Sequence, residues 1–199
     1  MSSSDPKARA DLTTGTLYAV RGESDWLYYG QVTAEKNVAF FARRDRTVAS
    51  PDEILSSPIM AVVSVSRPSI GRALRSGHWK KLGRFALPEV LHQPTLRVQW
   101  PPASFKVIVW SGGTRQFETT PDDPAIQDAE VIAAWDAEHH IPQRLTADFG
   151  AEAAEWHVGG PVWRERRVRE EYARRFPDQP GHRLPQGWVA SSAGEQKLR

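Results

Sequence analysis

The chain has 199 residues, with 26 Lys and Arg against 24 Asp and Glu, a formal net charge of +2 and 40% hydrophobic residues. That near-balance is not the footprint of a dedicated nucleic-acid binder, and the length allows one large domain or a smaller one with an appendage. Zero cysteines exclude a disulfide framework, thiolate zinc sites and a cysteine nucleophile, and they fit a reducing cytosol.

Residues 1–11 are small, polar and charged, which predicts a disordered tail. They contain no apolar signal-peptide core, and no later apolar run has the length of a membrane span. A soluble, cytoplasmic protein without a membrane partner is expected.

Folding is expected to start at Thr14. Leu17, Ala19 and Arg21 alternate with Tyr18 and Val20; after the polar break at 22–25, residues 26–32 form an aromatic run, and Asn37 introduces 38–42. The pattern predicts three short strands joined by tight turns. Such a meander buries its apolar face by curling over later strands, so a small half-barrel is expected. Tyr18, Trp26, Tyr28, Tyr29, Phe40 and Phe41 are read as core, and Gly15, Gly22 and Gly30 as turn or bulge positions.

Residues 50–55 read as a short helical link, with Pro51 near its start and acids in its first turn. The apolar run in 58–66 predicts a strand buried on both faces, hence central. Pro68 stops it, and Ser69 is the candidate cap of a single helical turn ending at Gly77. A strand is expected again over 78–87, with Trp79 and Leu82 inward on either side of an irregularity. Pro88, Pro94, Pro101 and Pro102 mark a looping excursion before a strand over 105–110, closed by Ser111, Gly112 and Gly113.

From Pro124 the spacing of Ile126, Ala129, Ile132, Ala133 and Ala137 turns helical. A first helix is expected there, packed on the sheet through Ile132. A second is expected over 147–157, and a third, solvated and laced with Arg–Glu pairs, over 162–176. The predicted class is α+β, as a single domain over 12–178 that is β-rich over 12–115 and helical over 121–178. Its strongly curved, mainly antiparallel sheet is followed by C-terminal helices packed on it. Residues 179–199 are expected to form a flexible or clinging tail, with Trp188 as its anchor.

Candidate chemistry is sparse. His139 and His140 stand near Asp136 and Glu138, but adjacent histidines on a helix point about 100° apart, and one Asp136–His140 pair is a common chance spacing, so no metal is expected. Residues 111–115 lack the Gly-x-x-x-x-Gly-Lys pattern and read as a hairpin or exit turn, and there is no Gly-x-Ser-x-Gly elbow. No catalytic constellation assembles, so neither enzymatic activity nor a cofactor is expected. Charge segregation is the better clue. Arg67, Arg72, Arg75, Lys80, Lys81 and Arg84, with His78, run without an acid, whereas Glu118, Asp122, Asp123, Asp128, Glu130, Asp136 and Glu138 run without a base. Such stretches either neutralise each other within the fold or face a complementary partner.

Gly15-Thr-Leu-Tyr-Ala-Val20, Trp26-Leu-Tyr-Tyr-Gly-Gln-Val32, Val38-Ala-Phe-Phe41 and above all Leu74-Arg-Ser-Gly-His-Trp-Lys-Lys-Leu-Gly83 resemble the immunity protein 26 family of bacterial polymorphic-toxin systems. Members open with a glycine, a strand and an aromatic–Gly–x–Val step, and later carry a Ser-Gly-x-Trp-x-x-x-Gly element, matched here by Ser76, Gly77, Trp79 and Gly83. The resemblance covers roughly residues 12–110. It implies a non-enzymatic cytoplasmic protein that binds a cognate toxin domain and blocks it. The contact surface is then expected to draw on Arg72, Arg75, Lys80, Glu130, Asp136 and Glu138, while Gly15, Gly30, Ser76, Gly77, Trp79 and Gly83 shape the fold. Nucleic acid is not the expected partner. The alternative is a small-barrel module that reads nucleic acid or peptide through the basic 67–84 stretch, with Trp26, Tyr28, Trp79 and Arg84.

Overall fold

A computed structural model of the chain describes residues 12–149 and 160–190. In chain order the described strands are β1 (Thr16–Arg21), β2 (Leu27–Val32), β3 (Val38–Asp45), β4 (Ile59–Val65), β5 (Trp79–Arg84), β6 (Leu96–Gln99), β7 (Val107–Ser111), β8 (Thr114–Thr119), β9 (Glu130–Val131) and β10 (Ala134–Trp135). The described helices are α1 (Pro51–Leu55), α2 (Arg67–Ser76), α3 (His140–Phe149) and α4 (Gly160–Arg175). The described residues group into two compact units, one formed by 12–94 with 133–149 and the other by 95–132 with 160–190.

The first unit is built on a six-stranded sheet in the order β10-β4-β3-β2-β1-β5, antiparallel except where β10 pairs with β4. Register shifts at Leu17/Tyr18, Tyr28/Gly30 and Phe40/Phe41 put irregularities into three of its pairings. Bulges of this kind add twist, and the sheet is strongly curled into a half-barrel, as the aromatic meander predicts. The class is α+β.

Strand alternation sorts the aromatic side chains onto two faces. Tyr18, Tyr28, Phe40 and Trp79 share one face with Val20, Val38 and Val63, and are covered by Ile70 and Ala73 of α2 and by Ile141 and Leu145 of α3. Leu17, Tyr29 and Phe41 occupy the other, against Ile54 of α1. Leu82, the unpaired residue of the β5 irregularity, packs on this second face while Trp79 packs on the first. Full burial of each large side chain contributes roughly 1.5–3 kcal/mol.

Local signals account for the short helices. Ser50 and Glu53 form a reciprocal capping box around Pro51, which starts α1. α2 is ten residues long rather than one turn. Its N-cap position is Ser66, not Ser69; the buried Ser69 hydroxyl donates to Ser66 O at 2.6 Å and is used in tertiary bonding instead. β4 forms as expected, lying between β3 and the two-residue β10.

The helix expected from Pro124 does not form. Residues Pro124–Ile126 make a single 3-10 turn capped by Asp123, after which β9 pairs in parallel with β6, and β10 with β4. Helical spacing is overridden here by edge pairing: Ile132 N–H donates to Val98 O at 2.7 Å, and the β-branched Val131–Ile132 pair suits a strand. Ile126 and Ala129 fill the core of the second unit, Ala137 that of the first, and Ile132 is exposed rather than packed inward. α3 begins only at His140; the part of the second expected helix beyond Phe149 lies outside the described residues, as do the tails at 1–11 and 191–199.

The second unit carries a four-stranded sheet in the order β8-β7-β6-β9. Gly112 and Gly113, both at positive φ, turn β7 into β8, so the 111–115 stretch is a hairpin turn. Val98, Trp100, Val107, Val109, Ile126 and Ala129 pack against Val162 of α4. α4 has the expected Arg–Glu pairs, but Arg166 is buried, held by Asp122 and Glu170, and Arg169 donates to the carbonyls of Trp100 and Pro101 at 2.6 and 2.9 Å. Trp188 stacks on Trp100 and Phe105 at 5.9 and 5.6 Å between ring centroids, and anchors the chain beyond α4.

Candidate protein-binding surface

The Ser-Gly-x-Trp-x-x-x-Gly element lies where α2 turns into β5, within the first unit. Gly77 sits at φ 79° immediately after the helix, a left-handed position that costs a side-chain-bearing residue energy. The reversal it makes delivers Trp79 into the core, 1% exposed, with its ring centroid 5.3 Å from Tyr18 and its edge toward Phe40. Gly15, at φ 83°, brings its backbone so close to Phe85 that a Cβ there would lie 2.4 Å from the Phe85 carbonyl oxygen. Gly30 pairs with Phe40 beside the register shift between β2 and β3, where a Cβ would meet Val38 and Phe40, and Gly83 pairs with Leu17 beside the bulge of β5. Ser76 Oγ lies within hydrogen-bond reach of Ala73 O at 3.3 Å.

Two bonds tie this corner to the start of α3. Trp79 Nε1–H donates to Ala137 O at 2.9 Å, and Ser69 Oγ accepts from Ala137 N–H at 2.8 Å. With Ala137 held from both sides, Asp136 is fixed beside α2. Its Oδ1 accepts from the N–H groups of Glu138 and His139 at 2.9 and 3.0 Å, and its Oδ2 accepts from Arg72 Nη2 at 2.6 Å. Glu138 Oε2 lies 3.6 Å from Arg72 Nε. Burial pushes the Asp136 carboxyl up, but the two backbone N–H groups and the Arg72 guanidinium outweigh it and hold the group below its ordinary value.

Arg72, Asp136 and Glu138 are therefore brought together, but as partners of one another. Glu130 belongs to β9 in the second unit, in register with Arg97. Arg75 and Lys80 are exposed, as are Arg67 and Lys81. Ser69 was expected as a helix cap and Ala137 as part of a helix face; the structure instead bonds them to each other, a contact that no spacing in the sequence signals.

Ser76, His78 and Glu138 form the nearest approach to a catalytic group. Ser76 Oγ is 2.8 Å from His78 Nδ1, and Glu138 Oε1 is 3.7 Å from the same nitrogen. A nucleophile relay needs the hydroxyl and the carboxylate on different ring nitrogens, so this cluster does not make one. Among the described residues no group of three or more His, Asp and Glu side chains is placed to hold a metal ion, and no helix is long and apolar enough to cross a membrane. The rings named for base or peptide reading are occupied elsewhere: Tyr28 and Trp79 are buried, and Trp26 carries the guanidinium groups of Arg44 and Arg46 at 4.4 and 3.8 Å. Arg84 Nε donates to Thr14 O at 2.9 Å. No protein-family model, curated protein or solved structure matches this chain.

Proposed function

We propose that this protein is a cytoplasmic immunity factor of bacterial competition that binds a cognate toxin domain directly and stoichiometrically, and neutralises it without chemistry of its own. The observation that carries the reading is the corner between α2 and β5. The residues it shares with the immunity protein 26 family are used for shape: Gly77 makes the reversal, Trp79 fills the core and Gly83 adjoins the bulge. The side chains turned outward around them are charged and exposed, which suits docking on a rigid scaffold.

Co-expression with the toxin domain encoded beside it, followed by co-purification and a viability assay, tests the proposal. The expected result is a one-to-one complex and rescued growth. Toxicity unabated at matched expression, with no complex recovered, would overturn it.

A further inference from the structure

We infer that the partner presents an acidic protein surface to the corner of α2 and β5, docking on Arg67, Arg75 and Lys81; the inference rests on the immunity reading above. Opposite charge runs in the sequence leave the polarity of the contact open, and the ion pairs decide it. Within the acidic run, Asp136 and Glu138 are taken by Arg72, Asp122 by Arg166, and Glu118 by Lys106 and Arg115. Asp123 is taken by the Thr119 hydroxyl and the Ala125 N–H, and Glu130 also has a partner. In the basic run, Arg67, Arg75, Lys80 and Lys81 are exposed and have no side-chain hydrogen bond or ion pair among the described residues. Of the acids only Asp128 is exposed with no partner among the described residues, while four of the bases are left facing outward.

The placement of Arg67, Arg75 and Lys81 favours a common surface. At about 100° per residue, the exposed Arg67 and Arg75, with the half-buried Gly71 between them, share one stripe of α2 opposite the buried Ser69, Ile70 and Ala73. β5, packed against α2, is the last strand of its sheet. Lys81 pairs with Tyr18 on the face that α2 covers, and Lys80 projects from the opposite face. Edge lysines guard a sheet against unwanted pairing, which is a sufficient reason for Lys80 and Lys81 alone. It does not explain Arg67. A cation in the first turn of a helix opposes the helix dipole, and α2 has no acid there to compensate.

A protein partner fits better than a nucleic acid. Single-stranded binding needs exposed rings for stacking, and Trp79 and Tyr28 are buried.

The test measures affinity for the toxin domain by calorimetry, at two salt concentrations, with wild type, Arg67→Glu/Arg75→Glu/Lys81→Glu, and the milder Arg67→Ala/Arg75→Ala/Lys81→Ala in case the reversal fails to fold. Lys36→Glu/Arg46→Glu/Lys106→Glu, outside the patch, changes the net charge by the same amount and controls for it. The reversal is expected to weaken binding by about 10–100-fold, the alanine variant by less, the control by under about threefold, and wild-type binding to weaken with salt. Wild-type binding that survives the reversal within about threefold overturns the acidic-surface inference and leaves the immunity reading standing. Absence of wild-type binding, with no rescue of growth, overturns both. A 20-nucleotide DNA or RNA oligomer that binds wild type and is lost with the reversal overturns the protein assignment of the patch.

Discussion

Arg72 Nη2 and Asp136 Oδ2, 64 residues apart in the chain, meet at 2.6 Å and join the basic run to the acidic run within one unit. The two partners differ in what else they do. Arg72 is 46% exposed, so screening reduces the pair, whereas Asp136 also accepts two backbone N–H bonds at the entry to α3. Arg72→Ala should therefore cost under about 1 kcal/mol, and Asp136→Ala about 1–2 kcal/mol through lost capping. Urea unfolding with an unchanged m-value measures both; equal costs would contradict the asymmetry.

The pH dependence follows from the same carboxyl. Its folded pKa is depressed, so Asp136 adds stability above the unfolded value of about 3.9, and that contribution is lost as pH falls through the folded value. Asp136→Asn should flatten the loss of stability below about pH 4 and leave the slope between neutral and mildly alkaline pH unchanged. Thermal melts across the acid range read this directly.

Trp79→Ala should destabilise by about 3–5 kcal/mol, because the indole is 1% exposed and touches Tyr18 and Phe40. Trp79→Phe isolates the polar part: most ring packing stays, while Ala137 O loses its donor, for about 1–3 kcal/mol. A cost for the alanine variant below that of the phenylalanine variant would show that Trp79 is not a core residue.

Gly77 and Gly15 share a positive φ but differ in surroundings. A Cβ at Gly77 meets nothing within 4 Å, so Gly77→Ala should cost about 1 kcal/mol of backbone strain, whereas Gly15→Ala also drives a methyl to 2.4 Å from Phe85 O and should cost distinctly more. Gly77→Asn should be milder than Gly77→Ala, since asparagine tolerates the left-handed region. Chemical unfolding of the three variants ranks them.

In the second unit, Trp188→Ala removes stacking on Trp100 and Phe105 and the Nε1–H bond to Glu170 at 2.8 Å. Limited proteolysis should then cut faster between Pro177 and Ala190. An unchanged cleavage rate would mean that Trp188 does not anchor this stretch.

The sequence was most legible where the signal is local. The alternation in 16–21 and 27–32, the Ser50–Glu53 box and the glycine pair at 112–113 each specify their own element, and each forms. It misled where an element exists only through a distant partner. Val131 and Trp135 become strand residues because β6 and β4 offer open edges, and nothing within 124–138 encodes those edges. The charged residues of the candidate surface were all visible in advance, but which of them are mutually neutralised depends on the Ala137 clamp, whose parts come from residues 69, 79 and 137.

The parallel pairing of β10 with β4 has a consequence for synthesis on the ribosome. Parallel neighbours need a long crossover, and here the chain makes β6 through β9 before it supplies β10 and α3 to the first sheet. The nascent half-barrel must wait with the outer edge of β4 unpaired and the Tyr28–Trp79 face lacking Ile141 and Leu145. At about 5–20 residues per second that delay is on the order of seconds. Ribosome release after residue 94 should yield a chain that binds chaperones or aggregates, whereas release past α3 permits the first unit to close.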